Sequence, residues 1–308
     1  MKYIPICNGA LNASEIILGC MRINSLSSDE VKTLIMTAID AGVNFFDHSN
    51  IYSDGKCEEL FGNVTQFTSP EREKVYIQTK CGIRKDIGGY DFSRDYIVEC
   101  CDKSLKRLKT DYIDVFLLHR PDPLYEPEEV AEAFERLHSA GKVRYFGVSN
   151  IRPRQIDLLD KYLGKNRILV NQLQLSLMHA GMIESAVYTN TCYTEASDRD
   201  GELLDYCRLK GITVQAWSPI QYGFFEGIFL DNDEYPELNN ALNRMAEEKN
   251  VSNSAIALAW ILRHPAQMQV VIGTTKPERV KAMCKASGLE LTRKEWWELY
   301  RAAGHRIL

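Results

Sequence analysis

The sequence predicts an α/β protein, one (β/α)8 TIM barrel running through residues 1–308. Two observations carry that expectation. Eight short apolar runs of strand character alternate with amphipathic helical stretches from end to end, the pattern of a parallel sheet. Most strand ends, at 47, 80, 119, 149, 172, 217 and 273, are separated by about the length of one strand–helix unit, roughly 30 residues. No Pro/Gly/Ser-rich linker or low-complexity tract divides the chain, so a division into two smaller α/β domains finds no boundary.

In chain order, a short hairpin-like stretch precedes the first barrel strand, Glu15-Ile16-Ile17-Leu18-Gly19. Ser28-Asp29-Glu30 opens a helix through Ala41, and Gly42 stops it. The second strand closes on Asp47 and the third on Lys80. Ser93 to Leu108 reads as a helix capped by Ser93, with Asp95 in its first turn. The fourth strand closes on His119, and a helix from about Glu126 to Ala140 follows. The fifth to eighth strands are Lys142–Val148, Ile168–Gln172, Gly211–Trp217 and Gln269–Gly273. The last two intervals are long and are expected to carry extra loops or helices at the C-terminal end of the barrel.

Composition sets outer limits. Hydrophobic residues make up 45% and charged residues 26% of the chain, ordinary values for a globular protein. A net charge of −5 without a Lys/Arg block argues against nucleic acid as a partner. Nine cysteines, scattered and without CxxC or zinc spacing, read as reduced thiols. The N-terminal stretch lacks the apolar core of a signal peptide and no run approaches a membrane span, so a cytoplasmic location with no membrane contact is expected. A monomer and a homo-oligomer fit these features equally.

Chemistry concentrates where the strands end. Asp47 closes one run, Tyr52 lies five residues beyond it, and Lys80 and His119 close the next two. If these strands are parallel neighbours, all four side chains meet at the C-terminal mouth, where such barrels keep their active sites. Taken singly, each has a plainer reading: a packing tyrosine, a Lys–Asp structural pair, a core histidine. Together they suit carbonyl reduction. A free tyrosine, with a pKa of about 10, holds its proton too tightly to be an ideal donor near neutrality, and a nearby cation lowers that pKa. Lys80 can supply the charge if Asp47 anchors it and keeps it protonated, while His119 orients and polarises the carbonyl.

Asp47, Tyr52, Lys80 and His119, in that order, resemble the catalytic tetrad of the aldo-keto reductases. The strings Ala41-Gly42-Val43-Asn44-Phe45-Phe46-Asp47, Gly141 to Asn150 and Ala216-Trp217-Ser218-Pro219 are similar to that family as well. The string Leu118-His119-Arg120-Pro121-Asp122-Pro123 resembles a group of bacterial oxidoreductases within it. The likeness runs from about residue 15 to the C-terminus. It implies an NADPH-dependent reductase of an aldehyde or ketone, a small-molecule carbonyl substrate, and Tyr52 as general acid.

The resemblance also places the cofactor. No GxGxxG follows a strand, so a Rossmann site finds no support. The family's extended NADP(H) would instead be held by Ser149, Asn150 and Gln172 at the nicotinamide carboxamide, and by Trp217 stacked on the ring. The backbone of Ser218, Pro219, Ile220 and on to Gly223 would wrap the pyrophosphate. Gly19, Cys20 and Met21 would form the edge shared with substrate. Gly273, Thr274 and Thr275 lead into a helix whose start suits a phosphate, and Arg279 stands where the family grips the adenosine 2′-phosphate. The chain departs from the family at Gly273, where a lysine is usual, and at Met283, where an adenine-contacting asparagine is usual.

The long segment Leu177 to Asp200 fits a lid, a subunit contact or a solvated insertion. Tyr222 to Phe225 can wall an apolar pocket. Trp296, Trp297 and Tyr300 read as a helix packed on the barrel, with the pocket within possible reach. Two other function classes fit less well: a cofactor-binding redox-sensing regulatory subunit with little turnover, and a lyase using Lys80 as a Schiff-base nucleophile.

Overall fold

A computed structural model describes residues 1–307. The N-terminal hairpin pairs β1 (Tyr3–Ile6) with β2 (Leu11–Ser14). Eight parallel strands close the barrel: β3 (Ile16–Gly19), β4 (Phe45–Asp47), β5 (Tyr76–Cys81), β8 (Ile113–Leu118), β9 (Val143–Ser149), β10 (Ile168–Gln174), β11 (Thr213–Trp217) and β12 (Gln269–Ile272), the last pairing back onto β3. Between β5 and β8 lies a small antiparallel pair at the mouth, β6 (Ile83–Arg84) and β7 (Gly89–Tyr90), which the sequence pattern did not predict.

Helices α1 (Ser28–Asp40), α2 (Lys56–Thr65), α3 (Ser69–Arg72), α4 (Arg94–Leu108), α5 (Pro127–Ser139) and α6 (Pro153–Leu163) follow the early strands. The later strands are followed by α7 (Gly181–Val187), α8 (Leu203–Lys210), α9 (Pro236–Lys249), α10 (Asn253–Leu262), α11 (Pro277–Cys284) and α12 (Arg293–Ala302). The long interval before β12 holds the predicted extra elements, α9, α10 and the loop that precedes them. Ser27, one residue earlier than expected, caps α1 in a capping box with Glu30. Ser93 gives α4 no side-chain cap; Glu129 instead accepts the Arg94 N–H at 3.2 Å, and Asp91 accepts that of Ser93 at 2.9 Å.

The period of two along each strand sorts the core into two layers. Phe46, Phe116, Leu118, Phe146, Val214 and Ala216 point outward and pack against the helices. Ile17, Phe45, Val115, Leu117, Val170 and Val271 point inward. Ile4, Ile6, Leu11 and Ala13 of the hairpin pack with that inner set, so the hairpin plugs the barrel at the end away from the chemistry. The same parity points Asp47, Gln78, Lys80, Gln172, Gln215 and Gln269 into the lumen, a polar layer above an apolar floor. Among the described residues no helix is long and apolar enough to cross a membrane.

Candidate active site

At the lumen's centre lies Asp47. Lys80 Nζ donates to both of its oxygens at 2.7 Å, to the His48 carbonyl at 2.7 Å and to the Tyr52 hydroxyl at 3.2 Å. Lys80 is wholly buried and Asp47 nearly so. Burial alone would pull the ammonium's pKa down, but Asp47 and Tyr52 outweigh it and the pKa is raised, so the lysine stays charged. For Tyr52 the balance falls the other way. Burial is the largest influence and raises the phenol's pKa, with Lys80 only partly opposing it. The expectation of a lowered pKa is therefore corrected: desolvation of a phenolate outweighs one cation at 3.2 Å. The site holds a protonated phenol beside a fixed ammonium.

Tyr52 owes its place to an unusual turn. Ser53, Asp54 and Gly55 all have left-handed backbones, with φ of 48°, 56° and 87°. Non-glycine residues in that region cost about 1–3 kcal/mol each, and such strain persists only where surroundings enforce it. Here Gly55 packs on Arg107, whose guanidinium donates to buried Glu58 at 2.7 Å; a Cβ at Gly55 would stand 2.8 Å from Arg107 Nε. Glu58 also accepts from Thr79 at 2.5 Å, tying the turn to the residue before Lys80.

His119 follows β8, and Nδ1 lies 3.0 Å from the Ser49 hydroxyl. Burial, then Lys80 and Arg120, hold its pKa well below the usual imidazole value, so the ring is neutral. A neutral ring that accepts from Ser49 at Nδ1 carries its proton on Nε2. Ser49 had no signal in the sequence beyond lying two residues after Asp47. Asp122 of the Leu118–Pro123 string fixes the loop after His119 by accepting from Phe92 N at 2.9 Å and Leu124 N at 2.8 Å.

Beneath the mouth runs a set of glutamines that sequence reading did not single out, Gln172 excepted. Asp47 Oδ1 accepts from Gln78 Nε2 at 2.6 Å and from Gln172 Nε2 at 3.0 Å. Both amides also donate to Gln215 Oε1, at 2.8 and 3.1 Å. Gln215 donates to Gln269 at 3.0 Å, and Gln269 to the Ser14 carbonyl at 2.8 Å. Because Asp47 and a backbone carbonyl only accept, every amide in this chain has one defined orientation.

A cavity of about 750 Å³ opens above this layer. Of the residues predicted for the site, Asp47, Tyr52, His119, Gly19, Met21, Ser149, Asn150, Gln172, Trp217, Ser218, Pro219, Ile220, Gly273, Thr274, Thr275 and Arg279 line it. Three do not. Lys80 sits behind Tyr52. Cys20 is fully buried, with its thiol directed at the Leu18 carbonyl. Gly223 turns its carbonyl to Gln174 Nε2 at 3.0 Å, away from the cavity.

Several polar groups are already committed. Ser149 Oγ donates to Gln172 O at 2.9 Å and accepts from Asn150 Nδ2 at 2.8 Å, while Asn150 Oδ1 accepts from Trp217 Nε1 at 3.3 Å. Gln172 spends its donors on Asp47 and Gln215, leaving its oxygen as the free end. In the loop after β11, the Gln221 and Tyr222 N–H groups bond to Ser218 and Gly227 carbonyls. Pro219 has no N–H, so the expected wrap narrows to Ser218 and Ile220. Leu177 to Asp200 contributes nothing to the cavity; its Tyr188 hydroxyl accepts from Arg306 N at 2.7 Å, and His305 reaches the Leu177 carbonyl at 2.6 Å. Leu177 and Tyr188 thus tie that segment to the chain's C-terminal part. Trp296 stacks on Trp260 at 4.9 Å, away from the cavity, with Trp297 and Tyr300 beside it.

Residues 15–303 match the model of the aldo/keto reductase family. The chain is 35% identical over 304 residues to an uncharacterized oxidoreductase, YcsN, of Bacillus subtilis (strain 168), covering 95% of both chains. It is 34% identical over 312 residues to oxidoreductase YdhF of Escherichia coli (strain K12), covering 98% of both. A 6-dehydroglucose reductase of Agrobacterium fabrum is 33% identical over 304 residues, again with 95% of both covered. The fold superposes on a thermostable aldo-keto reductase solved with the inhibitor epalrestat, with a TM-score of 0.78, 24% identity, and 98% and 100% of the two chains covered. The chain belongs to the aldo/keto reductase family, whose members are oxidoreductases that use nicotinamide cofactors.

Proposed function

We propose that this protein reduces an aldehyde or ketone to an alcohol with NADPH, and that Tyr52 gives the proton. One observation carries the reading: a protonated phenol at the edge of the cavity lies 3.2 Å from an ammonium that a buried carboxylate holds at 2.7 Å. The donor set fits a dinucleotide. Arg279 and Lys276 are exposed cations at the start of α11, Trp217 offers a ring to the cavity, and Asn150 with the free oxygen of Gln172 suits a carboxamide. Bound there, the reduced nicotinamide would supply hydride to the carbonyl carbon.

The chain's own residues manage the oxygen. His119, neutral and protonated on Nε2, donates to the carbonyl and fixes its direction. Tyr52 then releases its proton to the developing alkoxide. The Lys80 ammonium stabilises the phenolate left behind, and Asp47 prevents that ammonium from losing its own proton to the low-dielectric lumen. The reductase relative among the similar proteins supports a carbonyl substrate.

Tyr52→Phe removes the proton donor and little else. It is expected to lower kcat on the order of 10²–10⁴-fold while NADPH affinity stays within a few-fold. A variant that keeps most of its turnover over a panel of aldehydes, ketones and keto-sugars would remove Tyr52 from the role. A native enzyme that binds NADPH but turns over none of the panel would favour the redox-sensing alternative.

A further inference from the structure

Cations crowd this cavity. Its lining includes Arg22, Lys85, Arg120, Lys276 and Arg279 against a single carboxylate, Asp47, which Lys80 neutralises. Lys85 is paired with Asp54 at 2.6 Å, and Arg22 donates to the Gly273 carbonyl at 3.3 Å. Lys276 and Arg279 follow β12. Arg120 follows β8, which lies four strands from β12 either way around the ring of eight. Arg120 therefore enters the mouth from the strand opposite β12 and reaches across it to Trp217 and Phe224. The β12 rim suits the cofactor phosphates, and nothing in that assignment uses Arg120.

Arg120 has no hydrogen bond or ion pair among the described residues. Its guanidinium carbon lies 5.7 Å from the Trp217 ring centroid and 5.4 Å from that of Phe224, cation–π contacts that leave its N–H groups unused. The side chain is half-buried beside His119, in the same cavity as Tyr52. A guanidinium lodged against aromatic rings, with its N–H groups free, can take an oxyanion through two parallel bonds.

We infer that the substrate is a carbonyl compound carrying an oxyanion (a carboxylate, phosphate or sulfonate), and that Arg120 binds that group. The inference rests on the proposed carbonyl reduction and specifies its substrate class. A guanidinium that merely packs on Trp217 and Phe224 would support charged and neutral substrates alike.

The test compares matched pairs: 4-carboxybenzaldehyde with its methyl ester, succinic semialdehyde with butanal, and glyceraldehyde 3-phosphate with glyceraldehyde. The native enzyme is expected to favour the anionic member in at least one pair by ten-fold or more in kcat/KM, chiefly through KM. The carboxylate and phosphate pairs show which oxyanion fits better. Arg120→Gln should bring the ratio close to one, and Arg120→Lys should restore part of it. Independently of turnover, calorimetric titration with 4-(hydroxymethyl)benzoate and with benzyl alcohol should show the benzoate binding at least ten-fold more tightly to native protein, an advantage absent in Arg120→Gln. Equal affinity for the two alcohols together with no anionic preference in any pair would overturn the inference, as would a preference that survives Arg120→Gln. If no aldehyde is reduced at all, the reductase reading falls, and the titration still decides the anion site.

Discussion

Replacing Asp47 with Asn keeps the side chain's shape and removes its charge, which isolates what the carboxylate does for Lys80. In the native protein Lys80 has no exposed surface, and its ammonium meets two carboxylate oxygens at 2.7 Å. Removing one partner of a buried pair strands the other charge and costs about 3–5 kcal/mol. At about 2.1 cal/mol/K of unfolding entropy per residue, a chain of 308 residues should lose roughly 5–8 °C in Tm. The pH dependence carries the sharper test. Native Lys80 has its pKa raised, so the pair's stabilisation is complete below the unfolded value of about 10.4 and fades only above it. Without Asp47, burial is left to depress the lysine. Between the depressed folded value and the unfolded one the unfolded state then binds the extra proton, so stability rises with pH across that window. Urea unfolding of native and Asp47→Asn protein at pH 6, 7.5 and 9 measures this. The variant's deficit should be largest at pH 6 and shrink toward pH 9. A deficit that is absent, or equal at the three pH values, would refute the argument that Asp47 holds Lys80 charged.

Other consequences follow from the same geometry. Ser49→Ala removes the partner of His119 Nδ1 and should lower kcat/KM by about five- to ten-fold, the worth of one hydrogen bond of about 1–1.4 kcal/mol, without changing NADPH affinity. Because His119 is held neutral by burial and two nearby cations, the pH–rate profile should lack the break near pH 6.5 that an ordinary histidine gives; such a break, if abolished by His119→Gln, would contradict the neutral ring. Arg279→Ala should erase most of an expected preference for NADPH over NADH of at least ten-fold, or about 1.4 kcal/mol, by weakening NADPH alone. Equal native affinities in a fluorescence titration would sink that assignment. Gln78→Leu leaves the lumen filled but removes a 2.6 Å donor to Asp47, and should reduce kcat more than it raises KM.

The barrel was legible because its strands are short, apolar and regularly spaced, and because period two fixes which residues enter the lumen. Asp47 and Lys80 fall inward by parity alone, and β4 pairs with β5 in the register that brings them together. Loops obeyed no such rule. The left-handed turn after Tyr52 is carried by Ser53 and Asp54 as well as Gly55, and neither side chain announces positive φ. Cys20 and Gly223 sit in segments that do border the cavity, but contiguity along a loop does not say which side chain or carbonyl faces it. Ser93 does stand at the N-cap of α4 but makes no side-chain cap, and the acceptor for the Arg94 N–H comes from another helix, 35 residues away in sequence.

The glutamines expose the deeper limit of a linear reading. Each lies in a strand where an amide looks like an interruption of an apolar run, and burying it unpaired would cost about 1–3 kcal/mol. The closed ring removes most of that cost, because strands four apart face each other across the lumen; Gln78 Oε1 alone of these amide groups is buried without a partner. Gln78 on β5 reaches Gln215 on β11, and Gln172 on β10 reaches Asp47 on β4. Asp47 thus receives four donor contacts, two from Lys80 and one from each of two amides. Those contacts fix the carboxylate's place in the lumen. They also give the glutamines a structural place that composition conceals: these amides set the direction of the carboxylate, which sets the position of the ammonium. Asp47, Tyr52, Lys80 and His119 are readable as four residues in sequence, but their geometry depends on side chains that become neighbours only when the barrel closes.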